Sequence, residues 1–292
     1  MHFVQAKSLL TKWNGMNIYR GCSHGCIYCD SRSECYQMKH PFEDIEVKEN
    51  APELLEAILK SKRRKIMIGT GSMSDPYQHC EEKLMLMRKC LLLIDRYGFG
   101  ATVITKSDRV LRDIDLFDSI NRKAKGVLQM SLTVADDALS RIIEPHVCTT
   151  SRRYEVLKEF QKKNIPTVVW MTPLLPLLTD TEKNIRTILD YCIDAGVKGI
   201  ICFGIGMTLR QGDREYYYRA LDRHFPGLSR EYQKRYGSAY EVNSPDHARL
   251  MKLFHTTCEQ HGVLHTPDEC FRYIAEMQEN SGQLSLFDLA GG

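Results

Sequence analysis

The chain is organised around the stretch Tyr19-Arg20-Gly21-Cys22-Ser23-His24-Gly25-Cys26-Ile27-Tyr28-Cys29-Asp30. It places three cysteines at C-x3-C-x2-C spacing in a loop of glycines and small polar residues. A structural zinc site normally takes four protein ligands, whereas a [4Fe–4S] cluster held by three cysteines keeps one iron free for a small ligand. Ligand type alone leaves both metals open. His24 could be a fourth ligand only if its side chain can reach the metal from inside the loop. Because the chain has eleven cysteines, a third alternative is that these three lie close together by chance.

Composition limits the class of protein. The 292 residues include 40 basic and 37 acidic side chains, a net charge of +3, so any nucleic-acid binding must come from a local patch. No apolar run has the character of a signal peptide or the length of a membrane span. Many cysteines without a secretory signal favour reduced thiols over disulfides. The sequence therefore predicts a cytoplasmic protein.

Short β-branched runs alternate with amphipathic helical stretches along most of the chain, a pattern typical of a parallel sheet with crossover helices. The predicted strands are 17–19, 65–70, 101–105, 126–132, 166–171 and 199–204, and the predicted helices are 51–62, 82–97, 107–121, 135–143, 150–164 and 181–195. Six such units predict an α/β fold, a partial (βα)6 TIM-like barrel. Its chemistry belongs at the carboxyl ends of the strands, where the cysteine loop falls.

The composition changes beyond about residue 212. Aromatic and basic residues mix there, with helices predicted over 245–261 and 268–280. We therefore divide the chain into a barrel at 1–211, a helical C-terminal extension at 212–280 and a tail at 281–292.

Residues 19–29 resemble the cluster loop of the radical S-adenosylmethionine (SAM) enzymes. Further matches resemble the spore-photoproduct-lyase-like, "DNA repair photolyase" branch of that superfamily: Ser-Asp-Pro-Tyr-Gln at 74–78, Thr-Lys-Ser at 105–107, Ser-Leu-Thr at 131–133 and Glu-Pro at 144–145. The resemblance implies a [4Fe–4S] cluster whose free iron binds SAM. One-electron reduction then cleaves SAM to a 5′-deoxyadenosyl radical, and the protein aims that radical and excludes solvent.

The resemblance also implies roles for individual residues, with Cys22, Cys26 and Cys29 as the cluster ligands. The implied SAM contacts are Tyr28 against the adenine, Ser74 and Asp75 at the amino group, Lys106 at the carboxylate, Ser131 at the ribose or carboxylate, and Gly204 and Gly206 beside the adenine. Each has an ordinary structural alternative. Tyr28 could be a core aromatic, Ser74-Asp75 a capped turn, and Lys106 a solvated lysine.

One feature departs from the family pattern. Spore photoproduct lyases carry a hydrogen-donating cysteine just before the Ser-Asp of the strand-two loop, and here Ser72-Met73 occupies that place. Either Cys80 or Tyr77 replaces that donor, or the reaction differs.

The end of the chain carries Gln283-Leu284-Ser285-Leu286-Phe287 after a polar break. This segment resembles the peptide by which bacterial DNA polymerases and repair proteins bind the sliding clamp. A free tail can place Leu286 and Phe287 in an apolar pocket while Gln283 provides polar registration. The alternative is a tail that folds back on the chain's own core.

Together these features predict a radical SAM enzyme acting on a damaged or modified DNA nucleotide. The aromatic and basic C-terminal region would contact the substrate, because bases stack on aromatic rings and phosphates bind Lys or Arg. Expected partners are DNA, the sliding clamp and an electron donor such as flavodoxin or ferredoxin. The alternatives are a radical SAM enzyme with an RNA, peptide or small-molecule substrate, and a zinc-stabilised nucleic-acid-binding protein without enzymatic activity.

Overall fold

The computed structural model describes residues 1–70 and 73–277. The strands are β1 (His2–Val4), β2 (Gly15–Met16), β3 (Tyr19–Arg20), β4 (Glu46–Lys48), β5 (Met67–Thr70), β6 (Gly100–Thr105), β7 (Gly126–Ser131), β8 (Thr167–Trp170), β9 (Gly199–Ile201), β10 (Gly206–Thr208) and β11 (Glu241–Asn243). The helices are α1 (Ala51–Ser61), α2 (Glu81–Leu84), α3 (Leu86–Arg96), α4 (Ile114–Lys123), α5 (Asp137–Ile143), α6 (Thr150–Lys162), α7 (Glu182–Asp194), α8 (Asp213–His224), α9 (Leu228–Tyr236), α10 (His247–Gln260) and α11 (Pro267–Ala275). Short 3₁₀ helices cover Asp30–Arg32, Glu34–Tyr36 and Asp108–Asp113.

Six parallel strands form the main sheet, in the order β2-β5-β6-β7-β8-β9. This confirms the predicted α/β partial barrel. The predicted first strand was wrong, however, because β2 ends at Met16 and the following residues turn away from the sheet. Tyr19 pairs with Val47 in a smaller sheet of order β1-β4-β3, and the Ile18 carbonyl accepts the Lys48 N–H at 3.0 Å. The predicted segment 17–19 therefore forms backbone hydrogen bonds with β4 and not with the main sheet.

The main sheet is covered on both faces, as parallel sheets usually are. The outer face packs against the crossover helices through a row of buried apolar side chains: Ile68, Val103, Leu128, Val169 and Ile200. Along each strand, side chains of the inner face alternate with those of the outer face. Its lower part packs against α11, where Cys270 and Ile274 contact the cluster of inner-face residues Met67, Val127, Val168 and Ile201.

The C-terminal region is attached to the barrel at several places. Helix α10 packs on α7, and β11 pairs antiparallel with β10, so the predicted helical extension also contributes a strand. Helix α11 ends at Ala275 rather than at the predicted residue 280. The Lys125 ammonium group binds the carbonyls at its end, those of Tyr273 and, at 3.0 Å, Glu276, as expected for a cation at a helix C-terminus.

Two tyrosines of the aromatic and basic region point inward. Tyr217 and Tyr232 are fully buried, their hydroxyl oxygens lie 3.0 Å apart, and Tyr232 donates to the Pro176 carbonyl. These two rings belong to a second apolar core and not to a substrate-facing surface, which corrects the prediction for them.

Within the described part of the chain, no helix has both the length and the apolar character of a membrane span.

Candidate active site

A cavity lies at the carboxyl ends of β5, β6 and β7, beside the cysteine loop. The space among its lining residues, including the part open to solvent, is about 520 Å³. Its lining residues are Cys22, His24, Cys26, Tyr28, Cys29, Ser31, Met73, Ser74, Asp75, Ile104, Thr105, Lys106 and Ser131. The structure therefore brings together the three loop cysteines and five of the seven residues predicted to contact SAM.

Two glycines allow the cysteine loop to approach its neighbours closely. Gly21 has a φ of +85°, and a Cβ there would lie 2.4 Å from the Phe42 carbonyl oxygen. That oxygen accepts the Cys22 N–H at 3.3 Å. Gly25 has a φ of +71°, and a Cβ there would lie 2.8 Å from the His146 ring. Only glycine adopts this backbone without strain, so local sequence and packing together fix the path of the loop.

Three free thiols face the cavity, and no fourth cysteine lines it among the described residues. Burial raises the pKa of Cys22 to about 12 and that of Cys26 well above its usual range, because a low-dielectric environment disfavours the thiolate. A bound cationic cluster would offset that cost. The donor set is therefore suited to three-point attachment with one metal position open.

His24 faces the second loop of the site. Its Nδ1 lies 3.4 Å from Asp75 Oδ2, and its buried Nε2 has no hydrogen-bond partner within the described residues. Burial lowers the pKa of this imidazole to about 4, so it is neutral near pH 7. An unpaired buried nitrogen beside the thiols fits a site shaped around a bound group.

Asp75 is held in place by protein donors. Its Oδ1 accepts from the Tyr77 N–H at 2.8 Å and the Thr105 hydroxyl at 2.7 Å, and its Oδ2 accepts from the Lys106 N–H at 2.8 Å. Ser74 donates to the Gly21 carbonyl at 2.6 Å. The Ser74-Asp75 turn thus joins the cysteine loop to the end of β6 while it lines the cavity.

Lys106 supplies positive charge at the cavity wall. Its Nζ lies 5.7 Å from the centre of the Tyr28 ring. Burial alone would lower its pKa, but the neighbouring Cys26 and Glu144 outweigh that effect and raise it. The lysine is half-buried and faces the site, where it can pair with an anionic group.

A buried ion pair behind the cavity supports these side chains. The Tyr28 hydroxyl donates to Glu144, whose carboxylate lies 2.6 Å from the Arg153 guanidinium, and Arg153 also donates to the Ser131 carbonyl at 3.2 Å. Neither charged side chain is exposed. Sequence analysis left Glu144 without a role and missed Arg153. The available signal was an arginine on the same helical face as Val156 and Leu157.

Four predicted residues lie outside the cavity lining. Tyr77 is fully buried and donates to Asp113 at 3.0 Å, and Cys80 is half-buried against the main core. A Cβ at Gly204 would lie 2.8 Å from the His247 ring, and one at Gly206 would lie 2.5 Å from a β11 carbonyl oxygen. Close packing accounts for both glycines. Residues 283–287 lie outside the described part of the chain.

Sequence comparison identifies the family. The model described as "Radical SAM superfamily" matches residues 16–192. An uncharacterized protein of Mycobacterium tuberculosis is 29% identical over 227 residues, 76% of this chain and 66% of that protein. An uncharacterized protein of Methanocaldococcus jannaschii is 33% identical over 171 residues, 57% of this chain and 62% of that protein. The matches thus cover slightly less than two thirds of these relatives.

Solved structures share the fold. Spore photoproduct lyase complexed with dinucleoside spore photoproduct gives a TM-score of 0.61 at 14% identity, covering 90% of this chain and 80% of that chain. A variant of that lyase with bound AdoMet and the dinucleoside gives 0.60 at 13% identity, covering 85% and 74%. The family match spans more than half of the chain and includes the three-cysteine loop, and this chain belongs to the radical SAM superfamily.

Proposed function

We propose that this radical SAM protein acts on a nucleobase, that of a damaged or modified nucleotide in DNA. The observation that supports this substrate is an open aromatic face on the inner wall of the barrel. The face consists of Trp170 at the end of β8, Phe203 just after β9, and Phe271 on α11.

The three rings of the open aromatic face pack on one another and leave apolar surface uncovered. The Trp170 ring centre lies 6.0 Å from that of Phe203 and 5.9 Å from that of Phe271, and the two phenylalanines stack at 6.2 Å. Phe203 is 60% exposed and Phe271 is 37% exposed. Large apolar side chains grouped in this way typically mark a binding site.

The open aromatic face lies next to the cavity. Trp170 is the register partner of Ser131, a cavity residue, and of Ile201 on its other side. Partner residues on neighbouring strands are about 5 Å apart and point to the same side of the sheet. A ring bound on Trp170 would therefore lie close to the site of radical formation.

The indole is held in a fixed orientation. Trp170 Nε1 donates to Gln129 at 2.7 Å, and the Gln129 amide donates to Thr102 at 2.7 Å. A preorganised ring loses little entropy on binding. Stacking of a base on an aromatic side chain contributes about 1–3 kcal/mol, and a base inside a duplex would have to be extruded first.

Family membership implies a [4Fe–4S] cluster and SAM as the cofactors. When bound, they supply a carbon radical that abstracts a hydrogen atom. We assign the cluster to Cys22, Cys26 and Cys29. The SAM contacts assigned to the chain are Tyr28, Ser74, Asp75, Lys106 and Ser131. The hydrogen-donor roles of Cys80 and Tyr77 stay predictions, as do the contacts of Gly204 and Gly206.

The partners and the location also stay predictions. They are DNA, a sliding clamp bound through 283–287, and an electron donor such as flavodoxin or ferredoxin in the cytoplasm. The solved lyase contains a dinucleoside spore photoproduct, and its likeness to this chain supports the fold alone. The alternative is an RNA, peptide or small-molecule substrate, and the test must distinguish it from DNA.

The chain has two tryptophans, which allows a direct test. Trp13 is 82% exposed, so a Trp13→Phe variant leaves Trp170 as the sole indole fluorophore. We expect irradiated oligonucleotides to quench this fluorescence in anaerobic, SAM-saturated protein. We expect Trp170→Ala to weaken oligonucleotide binding by roughly ten-fold or more, from the loss of one stacking contact.

Release of 5′-deoxyadenosine on reduction checks the cofactor site separately. Unchanged oligonucleotide affinity in Trp170→Ala would overturn the assignment of the open aromatic face. Quenching by aromatic peptides but not by oligonucleotides would favour the peptide alternative.

A further inference from the structure

We propose that His2, His40 and Asp44 form a binding site for a divalent transition metal such as Zn²⁺, separate from the cysteine loop. One donor atom from each of the three side chains can be chosen so that all lie within 4.8 Å of one another. Nitrogen and carboxylate oxygen donors are the set that zinc accepts alongside thiolates.

The small sheet brings the three residues together. His2 begins β1 and is the register partner of Glu46 on β4, while His40 and Asp44 lie on the loop that leads into β4. His2 Nδ1 lies 3.0 Å from Asp44 Oδ2. The His2 and His40 ring centres are 4.8 Å apart, and their planes meet at 86°.

The hydrogen bonding of His40 points to a ligand. Its Nδ1 lies 3.1 Å from the Pro41 carbonyl oxygen, which can only accept, so Nδ1 carries the proton of the neutral ring. The lone pair is then on Nε2, which is buried and has no hydrogen-bond partner among the described residues. A histidine whose other ring nitrogen donates to a backbone carbonyl is the usual arrangement at metal sites.

The surrounding charges favour a cation. Glu46 Oε2 lies 3.8 Å from His40 Nε2 and 4.0 Å from His2 Nε2, and Asp44 Oδ1 accepts from the Met1 amino group at 2.6 Å. Two carboxylates thus face two imidazoles and one amino group. The side chains of His2 and Asp44 are 39% and 37% exposed, so an ion can reach the site from solvent.

The position of this site suggests its role. The same loop carries Phe42, whose carbonyl accepts the N–H of the first cluster cysteine, Cys22. A metal joining His2 of β1 to His40 and Asp44 would hold this loop against the sheet. The site is therefore structural, and it stabilises one wall of the cysteine loop.

The test uses protein with its cluster reconstituted and its affinity tag at the C-terminal end. Zn²⁺ is added, excess ion is removed by gel filtration, and zinc and iron are counted per chain. We expect one zinc in addition to the cluster iron and a thermal midpoint raised by several degrees, since a ligand bound to the folded state stabilises it. Co²⁺ in place of Zn²⁺ should show, in the difference spectrum against cobalt-free protein, ligand-field bands without new thiolate charge transfer.

We expect His2→Gln and His40→Gln to lose both the extra zinc and the thermal shift. His261→Gln, which changes an exposed histidine elsewhere, should keep both. Asp44→Asn is a second variant that retains side-chain shape if a histidine variant folds poorly. Absence of retained zinc, zinc retained equally by all variants, or cobalt bound through thiolates would each overturn the proposal.

Discussion

Glu144→Gln should destabilise the fold far more than loss of an ordinary surface charge. Glutamine keeps the size of the side chain, and its amide oxygen can still accept from Tyr28. Arg153, however, would stay fully buried and, among the described residues, would keep only the carbonyls of Ser131 and Cys148, at 3.2 and 2.7 Å, with no counter-charge. Removing one partner of a buried ion pair costs about 3–5 kcal/mol. The free energy of unfolding of a folded protein is about 5–15 kcal/mol, so this loss would be a large share of it.

The measurement is anaerobic urea unfolding of reduced, cluster-free protein, followed by far-ultraviolet circular dichroism. Glu182→Gln is the matched control, because Glu182 pairs with Arg186 and Arg249 on the surface, where ion pairs contribute little to stability. The double variant Glu144→Gln/Arg153→Met should recover part of the loss. A cost below about 1 kcal/mol for Glu144→Gln, or strict additivity in the double variant, would refute the reasoning.

Three further changes have distinct expected outcomes. Gly21→Ala should sharply lower iron content after reconstitution, because its Cβ would lie 2.4 Å from the Phe42 carbonyl oxygen. Gly98→Ala, whose Cβ would meet no described residue within 4 Å, should keep its iron. Burial raises the pKa of Asp213 from 3.8 to about 6, so its ionisation costs stability as pH rises through that window. Asp213→Asn should therefore raise the free energy of unfolding at about pH 8, by at most about 3 kcal/mol, and lose this gain below about pH 4; an equal gain at both pH values would contradict this. Thr266→Ala removes the side-chain cap of α11 and should cost about 1 kcal/mol, with faster amide exchange confined to that helix.

The parallel strands and the cysteine loop were the most predictable parts, because their signals are local. The runs at 101–105 and 126–132 are rich in apolar and β-branched residues, and the C-x3-C-x2-C spacing is contained within eight residues. The first strand was misplaced because Gly15–Met16 has only two residues, too few to show the alternation of apolar and polar side chains that marks a strand. Its place depends on pairing with β5, which no local pattern shows.

The open aromatic face was not predictable for a different reason. Trp170 ends one apolar strand and Phe203 follows another, as core residues often do, whereas Tyr217 and Tyr232 lie among basic residues, as surface residues often do. In the fold Phe203 is exposed and Trp170 is half-buried, whereas both tyrosines are buried, because α11 covers the lower inner wall and α8 and α9 form their own core. Burial here depends on contacts between residues far apart in sequence.

The placement of α11 has a consequence for biosynthesis. Residues 267–275 pack against Met67 and Val127 of the inner wall, yet they are made long after the three cysteines. A ribosome-bound chain that already carries the complete cysteine loop still exposes the lower part of its barrel to water. Since domains fold largely as they emerge, the lower inner wall is closed only after residues 267–275 have left the ribosome.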